Sequence, residues 1–379
     1  MLIELVLYLS VFGTLCWWLL VLFPWRPWST REKIEILAHS KAIFSDDLSN
    51  ITVLIPARNE GTYIRHTLHG VRAQGENMRI IVIDDQSVDD TAEQARQCGV
   101  QVLAGTAPPA GWSGKLWALE QGLREVKTHY TLLLDADIEL APGIISELRQ
   151  KASNENLALV SLMAKPPMDN FIECLLMPAF IFFFRLLYPF ELANKPGSSV
   201  AAAAGGCILV RTQALRSTGA FANLHDALID DCTLAAQIKG RGAQTFIGLS
   251  HAARSHRGYH ELKSIWEMVA RTAFTQLRYS PILLVICTLI MISMFWMAPF
   301  AFMFSPGLEV YLVSILAWAA MFFTYLPTLI YYQRSPLWAG ALPIIGILYL
   351  AMTWTSALRY WQGERALWKD RRYESKTNT

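Results

Sequence analysis

Two regimes of apolar patterning alternate along the chain. Four stretches stay apolar over a full bilayer thickness: Leu2 to Phe23, broken only by Glu4, and then Pro281 to Phe304, Leu308 to Tyr332 and Leu337 to Leu358 in close succession. Each reaches the roughly 20 residues that a helix needs to cross a hydrocarbon core. From about Asn50 to Gly248 the pattern is shorter and alternating. Ile51 to Ile55 predicts a strand, and Ile64, Leu68 and Val71 recur at helical spacing within Tyr63 to Ala73. Arg79 to Asp84 predicts the next strand, and Thr91 to Cys98 a helix opened by the capping-box-like Ser87-x-x-Asp90. Tyr130 to Leu134 reads as a buried strand. Such alternation predicts an α/β domain with a parallel sheet covered by helices on both faces.

Phe171 to Phe190 fits neither regime, being strongly apolar yet carrying Glu173, Pro178, Arg185 and Pro189. A full span there would put Asp137 and Asp231 on opposite sides of a membrane. One or two helices lying in the interface are therefore expected at 171–190, with a buried core helix as the alternative.

The expected division is an N-terminal transmembrane anchor at 1–28, a domain at 29–280 that includes this interfacial segment, C-terminal transmembrane helices at 281–358 and a basic tail at 359–379. The first span lacks a basic leader and ends in Trp25-Arg-Pro-Trp28, so it reads as a retained anchor and not as a cleaved signal. Arg26, Arg31 and Lys33 follow it, which puts the next domain in the cytoplasm by the positive-inside rule. Three later spans would then leave the basic tail outside, so either one of them is re-entrant or the tail departs from that rule.

Composition agrees with an integral membrane protein: 53% of the 379 residues are apolar. A formal charge of only +2 excludes nucleic acid as an expected partner. Cys16, Cys98, Cys174, Cys207, Cys232 and Cys287 are scattered, with no metal-ligand spacing, which predicts reduced cysteines.

Candidate chemistry gathers at predicted strand ends. Asp135-Ala-Asp137 follows the buried run Tyr130 to Leu134, and side chains two apart in a strand point the same way. Both carboxylates would then face the crevice at which open α/β sheets bind ligands, as hard donors for a divalent cation carrying a diphosphate. Pro56-Ala-Arg-Asn-Glu60 follows the first strand, where backbone amides could seat an anion or nucleotide; a plain turn is the alternative. Asp84-Asp85 could accept from a base or a ribose hydroxyl. Lys115, in Trp112-Ser-Gly-Lys115, could neutralise phosphate. Asp230-Asp231 opens a helix, with one carboxylate capping it and the other projecting as a general base.

Taken in order, Ile55-Pro-Ala-Arg-Asn-Glu60, Asp84-Asp85-x-Ser-x-Asp89, Gly114-Lys115-x-x-Ala118, Asp135-x-Asp137, Gly205-Gly206 through Arg211, and Asp230-Asp231-x-x-Leu234 resemble the inverting family 2 glycosyltransferases of GT-A fold. The resemblance covers about Ile51 to Arg278. With Trp266 to Phe274 and Gln276 to Ser280, the whole chain is most similar to the hopanoid-biosynthesis-associated glycosyltransferases of bacteria. It implies Asp231 as the base, Asp85 on the uracil or ribose, and Pro56, Ala57, Arg58, Asn59, Glu60, Lys115 and Asp135 on the donor. Asp135 and Asp137 would hold Mg2+ or Mn2+.

Gly205, Gly206, Asp230, His256 and Arg271 fall on the acceptor side, with His260 a further candidate. The family's Gln-x-x-Arg-Trp element stands here as Met268-x-x-Arg271-Thr272, which argues against the alternative of a processive polysaccharide synthase. Intact carboxylates argue against a non-catalytic membrane scaffold. The expected partners are a UDP-sugar, a lipid acceptor and the bilayer of a bacterial inner membrane, with the catalytic domain facing the cytoplasm.

Overall fold

The computed structural model describes residues 2–36, 46–224, 229–305, 307–364, 367–368 and 371–372. The chain divides into two compact units, one built from residues 1–31, 168–191 and 259–364 and the other from 32–167, 192–258 and 365–379. This division groups 168–191 and 259–280 with the apolar helices.

The second unit is built on a sheet of eight strands: β1 (Ile51–Ala57), β2 (Arg79–Asp84), β3 (Gln101–Ala104), β4 (Tyr130–Leu134), β5 (Ile138–Leu140), β6 (Leu157–Lys165), β7 (Cys207–Arg211) and β8 (Gln244–Ser255). Their order is β3-β2-β1-β4-β7-β6-β8-β5. The expected parallel sheet holds from β3 to β4. Beyond β4 the expectation is corrected, because β7 runs antiparallel to both β4 and β6, and β5 antiparallel to β8, while β6 and β8 are parallel. A parallel neighbour needs a crossover that returns the chain to the same end of the sheet. The long excursion after β6 instead delivers β7 from the opposite end.

Period-two alternation divides the strand side chains between two cores. Val53, Ile55, Val82, Leu132 and Leu209 pack on one face. Leu54, Ile81, Ile83, Leu133, Ile208 and Val210 pack on the other. Every residue of β1 and β4 is buried, as strands covered on both faces require. The helix Gly114–Arg124 lies against the second face at Gly122, where a Cβ would come within 2.7 Å of Ile83 Cδ1 and 3.2 Å of Leu54 Cδ2. This close approach fixes the start of that helix, and Lys115 with it, over the end of the sheet.

Boundaries shift slightly from expectation. β1 continues through Pro56 and Ala57, and the first two helices of this unit are Ile64–Arg72 and Thr91–Gln97. The expected capping box does not form: Asp90 makes no side-chain cap bond, and Asp89 Oδ1 instead accepts from the Thr91 amide at 3.1 Å.

Among the described residues the first unit contains four helices long and apolar enough to cross a membrane, at Glu4–Leu22, Pro281–Phe304, Leu308–Tyr331 and Pro336–Trp361. Trp17 locks the first to the second by donating from Nε1 to the Met294 carbonyl at 2.8 Å and meeting Phe295 edge-on. Leu15, Leu19, Leu289, Ile315, Leu316 and Phe323 remain exposed, as lipid-facing positions would be.

Phe171–Leu187 forms one helix, capped by Asn170, whose side chain accepts from the Glu173 amide. It packs within this unit: Phe182 meets Tyr325, Phe183 lies between Phe295 and Tyr349, and Arg185 donates to Thr328 Oγ1 at 3.2 Å. Glu173 is buried too, accepting from the Asp169 and Tyr259 amides. Both charged residues of this apolar helix therefore meet polar partners inside the unit, which lowers the cost of carrying them there.

Candidate active site

The predicted carboxylates meet at the end of β4, though not by strand alternation. β4 stops at Leu134, and the Ile138 amide donates back to the Asp135 carbonyl at 3.1 Å to close a turn. Asp135 and Asp137 therefore take different partners. Asp135 Oδ1 lies 2.6 Å from Lys115 Nζ. Asp137 Oδ2 accepts from Ser255 Oγ at 2.8 Å, and Arg257 Nε stands 3.5 Å away.

Lys115 is the second residue of a helix capped by Ser113, whose Oγ accepts from the Leu116 amide. Burial alone would lower its pKa, but the Asp135, Asp230 and Asp231 carboxylates outweigh that and hold it charged. Asp135 is pushed above the ordinary carboxylate range by burial and by the charges of Asp137 and Asp230, with Lys115 opposing.

Asp231 faces the same pair. Its Oδ2 accepts from the Gly205 amide at 2.8 Å and its Oδ1 from its neighbour's amide at Cys232, at 2.7 Å. Burial first, and then the adjacent Asp230 charge, push its carboxyl up to about 6, against the pull of those amides and Lys115. The expected cap is corrected here: Ile229 is the N-cap of the helix Asp230–Gly240 and offers no side-chain bond, so both aspartates lie in the first turn. There the helix dipole favours negative charge.

Pro56, Lys115, Asp135, Gly205, Asp230 and Asp231 line one crevice, floored by apolar side chains including Leu119 and Phe221. Gly206 sits beside it, its carbonyl accepting from the Asp135 amide at 3.1 Å.

The loop after β1 corrects another expectation. Its amides do not stand ready for an anion: Asn59 N–H donates to Ser87 Oγ at 3.0 Å, Glu60 N–H to Thr91 Oγ1 at 2.8 Å and Gly61 N–H to Asp89 Oδ2 at 3.0 Å. Asn59 reaches back to the Val88 amide and takes φ +52°, a conformation asparagine tolerates. Ala57 accepts from the Asp85 amide at 2.8 Å, and Arg58 Nη1 donates to the Asp85 carbonyl at 2.6 Å and lies 3.9 Å from its carboxylate. Asp85 is buried.

His256 Nε2 meets Glu139 Oε2 at 2.7 Å and its ring stacks on His66. His260 and Arg271 lie in the helical unit, and both are exposed. Two residues that the reading for acid–base and donor roles passed over, Ser255 and Arg257, contact Asp137 directly. Both stand in the polar, basic run Arg254-Ser-His-Arg-Gly-Tyr-His260, which is the sequence signal for them.

The carboxylates fit a divalent cation. Asp135 and Asp137 are close enough for the charge of one to raise the pKa of the other, and they are hard oxygen donors. Among the described residues no three His, Cys, Asp or Glu side chains form a closed cage. An ion such as Mg2+ commonly uses one or two carboxylates and completes its sphere with water and phosphate oxygens.

The family model described as Glycosyl transferase family 2 matches residues 52–219. Over 90 residues the chain is 38% identical to a 4,4'-diaponeurosporenoate glycosyltransferase of Staphylococcus aureus (strain bovine RF122 / ET3-1), a stretch that is 24% of each chain. The counterpart in strain USA300 is 38% identical over 89 residues, 23% of this chain and 24% of that one. The match thus spans about a quarter of the length of these curated relatives. A mannosyltransferase from Pyrobaculum calidifontis, solved in complex with GDP-Man and Mn2+, shares the fold with a TM-score of 0.54 at 17% identity, covering 95% of this chain and 98% of that one. Residues 52–219 are thus similar to glycosyltransferase family 2, and the chain has a GT-A-like α/β fold with a mixed sheet.

Proposed function

We propose that the chain transfers a sugar from a nucleoside-diphosphate donor, UDP-linked, to a hydroxyl of a membrane lipid, with inversion at the anomeric carbon. The observation that carries this reading is the Asp231 carboxyl, raised to about 6 and held by two amides opposite the Lys115–Asp135 pair. A carboxylate so tuned can take a proton near neutral pH.

In this reading Asp231 removes the acceptor hydroxyl's proton as its oxygen attacks the anomeric carbon, and the bond to the diphosphate breaks. A single displacement inverts the centre. Lys115 stabilises the charge that grows on the departing diphosphate. Asp135 and Asp137 would hold a divalent cation, which when bound would supply further positive charge to that leaving group. Pro56 to Glu60 and Asp85 belong to the nucleoside side; Gly205, Gly206, Asp230, His256 and Arg271 belong to the acceptor side.

Four bilayer-length helices support an acceptor resident in the membrane. Arg26, Arg31 and Lys33, just after the first of them, support a cytoplasmic catalytic domain. The resemblance of residues 266–280 to hopanoid-associated transferases makes a hopanoid the leading acceptor. The test is incubation of the detergent-purified chain with a panel of UDP- and GDP-sugars against total bacterial lipid, a purified hopanoid and 4,4'-diaponeurosporenoate, with products read by mass spectrometry and anomeric configuration by NMR. A lipid glycoside of inverted configuration is expected. Turnover of donors only to free sugar, or a retained configuration, overturns the reading.

A further inference from the structure

Arg257 lies just past β8, and its guanidinium bridges two buried carboxylates that belong to different motifs. Nη2 is 2.5 Å from Glu60 Oε1, in the loop after β1, and Nε is 3.5 Å from Asp137 Oδ2. Ser255 Oγ donates to that same Asp137 oxygen at 2.8 Å, and the Tyr63 ring lies 5.5 Å from the guanidinium carbon. Glu60 and Asp137 have side chains only 7% and 13% exposed, so each needs a positive partner, whereas Arg257 is one-third exposed and can swing outward.

Resting on the metal reading above, we infer that Arg257 is a resident cation that competes with the divalent ion for Asp137. A guanidinium cannot shed its proton, so it yields this carboxylate only by moving. Its planar fork suits phosphate oxygens as well as carboxylates, which gives it somewhere to go once a nucleoside diphosphate is present. Cation and diphosphate should therefore bind cooperatively: the ion weakly to the free protein, and more tightly when diphosphate oxygens take over the arginine.

The experiment is Mn2+ titration of the full-length chain in detergent, with free Mn2+ read by electron paramagnetic resonance, with and without UDP. An adjacent opposite charge changes a carboxylate's proton affinity by about tenfold or more, so Arg257→Gln should tighten Mn2+ binding without UDP by about tenfold and shrink the gain that UDP confers. Arg257→Lys keeps the charge but loses the fork, and its affinity should fall between wild type and Arg257→Gln. Asp137→Asn should abolish binding in either background.

If Asp137→Asn abolishes binding but Arg257→Gln binds Mn2+ no more tightly than wild type, the competition is overturned while the metal site stands. Should Arg257→Gln not yield monodisperse protein, a wild-type Mn2+ affinity in Arg257→Lys overturns it. Absence of Mn2+ binding in wild type and Arg257→Gln alike, with or without UDP, removes the metal reading and this inference together.

Discussion

The Gly205 amide donates a 2.8 Å hydrogen bond to Asp231 Oδ2, and a Cβ on residue 205 would stand 3.3 Å from that same oxygen and 3.5 Å from Lys115 Nζ. The missing side chain is what lets a backbone donor, a carboxylate and an ammonium share so small a volume. Gly205→Ala should push the Asp231 carboxylate aside by a few tenths of an ångström. Since small misplacements of a reacting group are costly, turnover should fall by about tenfold with little change in donor KM. Steady-state kinetics decides this, and an unchanged kcat would count against Asp231 as the base.

Asp231 must be ionised to accept a proton. With its carboxyl raised to about 6, kcat/KM should climb with pH through that value and flatten above it. Asp231→Asn should reduce kcat by about 10² while leaving donor affinity near wild type. Survival of activity in that variant, together with its loss in Asp230→Asn, would move the role to the neighbour.

Stability should respond with a definite sign. A carboxyl whose folded-state value lies above its ordinary 3.8 binds more protons folded than unfolded between 3.8 and about 6, so stability drops as pH rises through that window. Asp231→Asn, neutral throughout, should raise the melting temperature at pH 7 and leave it nearly unchanged at pH 4. A melting temperature lowered at pH 7 would show that the ionised form is stabilising in the fold.

Excess chelator should depress donor turnover, and Asp137→Asn should lower activity and donor affinity together, because the diphosphate then loses its cation and faces bare carboxylates. Wild-type rates in chelator would contradict the assignment of Asp135 and Asp137.

Phe182 is fully buried against Tyr325 in the helical unit. Phe182→Ala should cost about 3–5 kcal/mol of stability, as large aromatic deletions in cores do. A thermal melt of the detergent-solubilised protein measures it. An unshifted melt would mean that this helix contributes little to the unit.

Much of this was legible in the sequence because it depends on local period. The four apolar helices follow from runs of bilayer length, β1, β2 and β4 from short apolar runs, and the helix Ile64–Arg72 from apolar residues at spacings of three to four. Antiparallel β7 was not legible, since Cys207 to Arg211 reads the same in either direction and its orientation is set by where the chain re-enters the sheet. The order of carboxylates along the chain located the site, but their partners are contacts between distant segments. Arg257 and Glu60 are far apart in sequence, and nothing local to either predicts the ion pair. The engagement of the Asn59 and Glu60 amides is not legible for the same reason: Ser87 and Thr91 satisfy them from the segment after β2.

The helix Phe171–Leu187 also bears on biosynthesis. Its ring partners Phe295, Tyr325 and Tyr349 come more than a hundred residues later, and β7 and β8 are translated in between. At roughly 5–20 residues per second, a ribosome would leave this apolar segment without those partners for about five seconds or more. A nascent chain in that interval carries a greasy helix and an unfinished sheet at once, so lipid or a chaperone has to shelter the helix before the C-terminal segments emerge.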